Sequence, residues 1–289
     1  MIMRKIGQAW VSAIGLGGLP LSVEGRPDEQ RAIRTIHAAL DSGVTLIDTA
    51  DAYQIGSDAT GHNETLIAKA LASFGSDTSA VLVATKGGFM RPADGSWVKN
   101  GYPEHLKSAA HASAKRLGVE TLDLYQFHHP DPQVPFEDSL GAFKELLDEG
   151  VIRTAGISNV SVAQIRVAHD LLGASLVSVQ NQFSPVHQDS RPELQLAAEL
   201  GLAFLPWCPL GGIGRGGRLA GASEAFTKIA AERAVSPQQI ALAWELSLSP
   251  TVIPIPGASR PESITDSTHA ANLRLTDSEL LRLSSESVS

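Results

Sequence analysis

Eight short apolar runs recur along the chain with helix-patterned segments between them, and this rhythm limits the possible folds severely. The runs are VSAIGLG (11–17), VTLIDTA (44–50), AVLVATK (80–86), LDLYQFH (122–128), VIRTAGIS (151–158), SLVSVQ (175–180), LAFLPW (202–207) and TVIPIP (251–256). Most are too continuously apolar for a strand with one wet face, which predicts a parallel sheet covered on both sides. The segments between carry helical period and punctuation. In DEQRAIRTIHAALDSG, Ile33, Ile36 and Leu40 share a face, acids occupy the first turn and Gly43 follows the end. In EDSLGAFKELLDEG, Leu140, Phe143 and Leu147 do the same and Gly150 closes the helix. Ser161 with Gln164, and Thr276 with Glu279, have capping-box spacing, and Ser236-Pro237 reads as an N-cap followed by Pro at the first helical position.

Eight strands alternating with helices over about 250 residues predict a (β/α)8 TIM barrel, read as one domain over residues 1–289. The alternative is an open doubly wound sheet. That fold needs a tight Gly-rich first turn, and GLGGLP (15–20) lacks the spacing and leads to no immediate helix. A hydrophobic fraction of 43% suffices for the large core. Cys208 is the one cysteine, so no intramolecular disulfide forms, and it reads as a buried inert thiol in a reducing cytosol. A net charge of −8 argues against nucleic acid and anionic membranes as partners. The start MIMRKIGQAW lacks the apolar stretch of a signal peptide, and no run of about 18 apolar residues suggests a membrane span. The expectation is a soluble cytoplasmic protein; the sequence assigns it no metal site and no oligomeric state.

In such barrels the reacting groups sit at the carboxyl ends of the strands and in the loops that follow. Those positions hold Asp48 and Tyr53, Lys86, His128, Ser158-Asn159, Gln180, Trp207, and Gly257 to Arg260. Each has a plain structural reading: a loop cap for Asp48, packing for Tyr53, a solvated loop lysine for Lys86, a satisfied core histidine for His128. Together they make a consistent set. A tyrosine with an ordinary pKa near 10 is a poor acid at neutral pH, and a nearby lysine paired with a carboxylate lowers that pKa. A neutral histidine can orient a carbonyl oxygen. The set describes a site that protonates an oxygen while a nucleophile adds to carbon. The run LYQFHHPDP (124–132) places two imidazoles at one strand end. Alternation points Leu124, Gln126 and His128 inward, and Tyr125 and Phe127 toward the helices, with His129 at the turn.

The segments IDTADAY (47–53), VATKGG (83–88), LYQFHHPDP (124–132), GISN (156–159) and IPGASRPE (255–262) resemble the aldo-keto reductase superfamily, in order, from about Gly15 to Arg260. The resemblance implies a (β/α)8 barrel that binds NADP(H), with NAD(H) as the second choice, and reduces small-molecule aldehydes or ketones to alcohols. It makes Tyr53 the proton donor, tuned by Lys86 and Asp48, and His128 the substrate-orienting residue. Ser158, Asn159 and Gln180 would hold the nicotinamide carboxamide. Trp207 stands where a stacking Tyr is common, and Pro209, Leu210 and Gly211 follow it in the implied cofactor wall. Gly257, Ser259 and Arg260 would meet the adenosine phosphate, with basic residues thinned to Arg260. Asp266-Ser267 replaces a Glu-Asn pair common at that position.

The Gly-rich GGIGRGG (211–217) reads either as a pyrophosphate cradle with Arg215 or as a lid without fixed contacts. GHNE (61–64) reads as a helix start, with Glu64 favouring the dipole. The loop from Phe89 to Tyr102, containing Trp97, reads as a wall of the substrate pocket. Two other functions remain beside the reductase: a cofactor-binding regulatory or redox-sensing subunit with little turnover, and a Schiff-base aldolase with Lys86 as nucleophile.

Overall fold

A computed structural model describes residues 1–56, 59–212 and 224–286. The chain begins with an antiparallel hairpin of β1 (Met3–Ile6) and β2 (Ala9–Ser12). It continues through β3 (Leu16–Gly17), β4 (Leu46–Asp48), β5 (Leu82–Gly87), a small hairpin of β6 (Phe89–Met90) and β7 (Val98–Lys99), then β8 (Leu122–Phe127), β9 (Ile152–Ser158), β10 (Leu176–Gln180) and β11 (Ala203–Phe204). The described helices are α1 (Glu29–Asp41), α2 (His62–Ala72), α3 (Pro103–Leu117), α4 (Phe136–Asp148), α5 (Val162–Leu172), α6 (Arg191–Glu199), α7 (Glu224–Arg233), α8 (Pro237–Leu248), α9 (Pro261–His269) and α10 (Asp277–Glu286). Seven strands form one parallel sheet in the order β11-β10-β9-β8-β5-β4-β3, curled into a barrel.

The eighth predicted strand is present as an extended segment but not as a regular ladder. Phe204 N–H donates to Thr251 O at 2.9 Å and Ile253 N–H to Phe204 O at 2.8 Å, while Gly15 and Gly17 N–H donate to Pro254 O and Pro256 O at 2.9 and 3.0 Å. The sequence IPIP explains the irregularity. In a parallel strand a residue's N–H and C=O point to the same neighbour, so Pro254 and Pro256 both face β3 and offer it no donor. The two proline positions therefore only accept on that side, and the join to β3 closes in a single parallel bridge between Gly17 and Gly257.

The first predicted strand, 11–17, divides. Residues Ala9–Ser12 pair back on Met3–Ile6 across a turn with Gly7 at φ +58°, and only Leu16–Gly17 join the barrel. The hairpin plugs the amino-terminal end: Ile6 and Val11 share a core with the inward-facing Leu46, Ala84, Leu124, Val177, Ala203, Leu205 and Ile253. The outward faces pack on helices, as Tyr125 stacks on Phe143 at 5.1 Å and Phe127 on Phe136 at 6.0 Å. The predicted caps are present: Ser161 and Gln164 form a reciprocal box, Thr276 and Glu279 exchange bonds, and Ser236 accepts from Gln239 N–H before Pro237.

One buried group runs against the packing. Glu245 on α8 is fully enclosed, and neither carboxyl oxygen has a partner among the described residues. Burial pushes its pKa well above the ordinary value, so the folded chain keeps it protonated more readily than the unfolded chain does. Stability from this group is therefore full below the ordinary Glu pKa of about 4.5 and is lost as pH rises above it. Glu245→Met should raise stability at neutral pH by at least about 1 kcal/mol. The advantage should shrink as pH falls toward about 4.5 in denaturant unfolding curves. A variant less stable than the parent at pH about 7 would refute this account.

Candidate active site

The carboxyl ends of β4, β5, β8, β9 and β10 converge on one cavity of about 670 Å³. Asp48 ends β4, Lys86 sits near the end of β5, and Tyr53 lies in the loop before α2. Lys86 is wholly enclosed, and its ammonium donates to Asp48 Oδ2 at 2.7 Å, Thr49 O at 2.8 Å and Tyr53 Oη at 3.0 Å. Three N–H groups meet three acceptors. Because an ammonium can only donate, Tyr53 accepts here, and its own O–H proton is left for the cavity that it lines. Asp48 Oδ1 accepts from Gln180 Nε2 at 2.8 Å and Gln126 Nε2 at 3.3 Å. Gln126 has room because residue 156 is glycine: a Cβ there would stand 2.8 Å from Gln126 Cγ and 2.3 Å from Ser178 Oγ.

The electrostatics correct one expectation. Lys86 does pull the Tyr53 pKa down, but enclosure outweighs it, and the phenol is pushed up to about 12. Tyr53 is thus a fully protonated acid rather than one tuned toward neutrality. Burial alone would lower the Lys86 pKa, yet Asp48 and Tyr53 reverse the sign and hold it charged. His128 is driven well below the ordinary histidine value by burial, then by Lys86 and His129, and is neutral. It points inward as the strand alternation predicts. Its ring meets Tyr53 edge-on at 5.6 Å and Phe89 at 4.7 Å, and its Nδ1 is buried without a partner.

Asn159 links the two sides of the cavity. Its backbone is left-handed at φ +59°, a conformation asparagine tolerates, and Cys208 shares it at φ +53°. From there Asn159 Nδ2 donates to His128 O at 2.9 Å and Ser158 Oγ at 3.1 Å, while its Oδ1 accepts from Trp207 Nε1 at 3.1 Å. Ser158 Oγ in turn donates to Gln180 O at 2.7 Å. Pro209, Leu210, Gly257 and Ser259 also line the cavity, as does Gly212 rather than Gly211. Arg260 is exposed at the rim, with Nε donating to Ser263 Oγ at 2.8 Å. Asp266 stands apart: its carboxylate accepts from Ser236 Oγ and Gln239 Nε2, both at 2.6 Å, fixing α9 against the start of α8. Arg215 lies outside the described residues. Cys208 is half-buried and lines the cavity, so it is not the enclosed thiol the sequence suggested.

Thr49 and the buried role of Glu64 carry no signal at the strand ends, and Gln126 shows in the sequence only as an inward-facing residue. Glu64 begins α2 as expected, yet it is wholly enclosed and accepts from Arg116 Nε at 2.6 Å and from Thr85 Oγ1. The signal was available in Gln126, a polar residue on the inward face of an apolar strand, which has to find a partner.

The aldo/keto reductase family model matches residues 13–286. The chain belongs to this family. Pyridoxine 4-dehydrogenase of Escherichia coli is 31% identical over 288 residues, covering 96% of each chain. A 6-dehydroglucose reductase of Novosphingobium aromaticivorans is 31% identical over 284 residues, covering 94% of this chain and 90% of that one. An aldo-keto reductase from Klebsiella pneumoniae, crystallised with NADPH, superposes with a TM-score of 0.79 at 26% identity, over 99% of this chain and 95% of that one.

The residues present suit a nicotinamide dinucleotide. The cavity has a flat indole on one wall and leaves acceptor capacity on Asn159 Oδ1 and Gln180 Oε1 for a carboxamide. Its far end reaches Ser259, Ser263 and the start of α9, which has no side-chain cap and so suits an anion.

Removing one partner of the enclosed ion pair should be costly. Asp48→Asn is expected to destabilise the fold by about 3–5 kcal/mol in urea unfolding, because Lys86 is left charged without a counter-ion. A loss below about 1 kcal/mol would mean water or another group already compensates Lys86.

Proposed function

We propose that the protein is an NADPH-dependent carbonyl reductase converting aldehydes or ketones to alcohols, with Tyr53 as proton donor and His128 orienting the substrate. The observation that carries this reading is the Tyr53 hydroxyl: it accepts from Lys86 at 3.0 Å and keeps its proton for a cavity shared with a neutral His128. Membership of the aldo/keto reductase family and the NADPH complex of the Klebsiella relative support the cofactor.

Bound NADPH would supply the hydride. The chain's own groups do the rest. Ser158, Asn159, Gln180 and Trp207 would hold and orient the nicotinamide, and Arg260 would meet the adenosine phosphate from the rim. Tyr53 and His128 bind the carbonyl oxygen, which draws its proton from Tyr53 Oη as negative charge develops. Lys86 then stabilises the phenolate, and Asp48 keeps Lys86 charged throughout. The aldolase reading loses support on the same geometry, since Lys86 is wholly enclosed and held as an ammonium by Asp48.

The purified protein should oxidise NADPH when given an activated aldehyde. Tyr53→Phe should lower kcat by about 10² to 10⁴ with cofactor affinity nearly unchanged. Cofactor binding without turnover across a broad carbonyl panel would favour the regulatory-subunit reading. A Tyr53→Phe variant within about twofold of the parent would place the proton elsewhere.

His128→Gln should reduce kcat/KM for a simple aldehyde by at least about tenfold. His129→Gln, at the pocket edge, should reduce it less. The opposite ranking in folded variants measured side by side would overturn the role given to His128.

A further inference from the structure

The second imidazole of the HHPD run is chemically distinct from the first. His129 is half-buried, lines the cavity and meets Phe89 edge-on at 5.7 Å. Its Nδ1 lies 2.8 Å from Pro130 O. A carbonyl oxygen can only accept, so Nδ1 carries the proton. Burial pushes the ring's pKa down, with Lys99 acting in the same sense and the Pro130 carbonyl against them, so the imidazole is neutral at working pH. The remaining nitrogen, Nε2, is then a lone-pair acceptor. His128 has the opposite arrangement: its Nδ1 is buried without an acceptor, which leaves the proton to Nε2 of a ring that lines the cavity. Adjacent imidazoles therefore present one donor and one acceptor.

The rest of the cavity narrows what that acceptor can meet. No lysine or arginine is among the described residues lining it, and its single carboxylate, Asp48, is already occupied by Lys86, Gln126 and Gln180. Phe89 and Trp97 supply apolar edges beside the histidines, 5.4 Å apart by ring centroid. No lining cation is therefore there to pair an anionic substrate group, and one acceptor, without a protein partner among the described residues, stands close to the group that orients the carbonyl.

We infer that His129 is a specificity-determining residue that accepts a hydrogen bond from a hydroxyl near the reacting carbonyl, so that the preferred substrates are uncharged hydroxy-aldehydes or hydroxy-ketones. The inference rests on the reductase reading and adds a substrate class to it. A hydroxyl satisfies Nε2, whereas a methoxy group of similar size offers no donor and leaves the nitrogen unpaired.

The test uses matched pairs: hydroxyacetone with methoxyacetone, and the ortho, meta and para hydroxybenzaldehydes with their methoxy counterparts. In the parent protein at least one pair should favour the hydroxyl member in kcat/KM by about fivefold or more, the net effect of one hydrogen bond. His129→Phe keeps a flat ring but no acceptor and should bring that ratio to within about twofold of unity, the methoxy member correcting for any general loss. His129→Gln, which can still accept through Oε1, should keep most of the preference. A parent enzyme that favours no hydroxyl member, or a preference that survives His129→Phe, overturns the inference. If the parent reduces none of these compounds, the reductase reading fails instead. Calorimetric binding of the hydroxy- and methoxybenzyl alcohols to the NADPH-loaded protein then applies the same criterion to His129 without turnover.

Discussion

Two full charges sit side by side inside the barrel, where Lys86 meets no water at all and Asp48 almost none. Such a pair is costly to desolvate and is tolerated only when the remaining donors and lone pairs are also used. Here they are. Thr49 and Tyr53 take the other two ammonium protons, and two glutamines from neighbouring strands take the second carboxylate oxygen. The pair therefore does more than adjust one tyrosine. It dictates a glutamine on β8 and another on β10, and a glycine on β9 to let the first of them through. The polar floor of the cavity follows from satisfying one buried ion pair.

Much of the fold was legible because parallel strands covered on both faces must be apolar throughout, and because caps have local signatures. What was not legible depends on contacts that sequence distance hides. The apolar run 11–17 looks continuous, but its first residues find a partner in Met3–Ile6 and its last in β4, and nothing local separates the two. TVIPIP has the composition of a strand, and its prolines gave a warning that hydropathy alone ignores.

The site shows the same division. Residue types at the strand ends identified Asp48, Tyr53, Lys86 and His128 as a group, and the structure brings them together. The direction of the Tyr53 shift was not readable, since it turns on the balance between one nearby cation and complete enclosure, and sequence reports only the cation. Asp266 is a related case: the resemblance sets it at a cofactor-binding position, and its carboxylate accepts from Ser236 and Gln239, contacts that sequence distance hides. Glu64 reads as a helix-dipole partner in sequence, yet its charge partner is Arg116, which is far along the chain but on the adjacent helix α3.

The sparse hydrogen bonding between β3 and the 251–257 segment, where two prolines offer no donor, gives the barrel wall a seam. Gly17, Leu19 and Pro20 on one side of it, and Ile255 to Ser259 on the other, all border the cavity. A join short of donors resists sideways spreading less than the longer ladders of β5, β8, β9 and β10 do. The short joins of the sheet thus cluster on one side of the barrel, where β11, the 251–257 segment and β3 meet. The catalytic floor starts at that edge, where Asp48 pairs with Gly17, and runs on through Lys86 and Gln126 to Gln180 on the laddered strands beyond it.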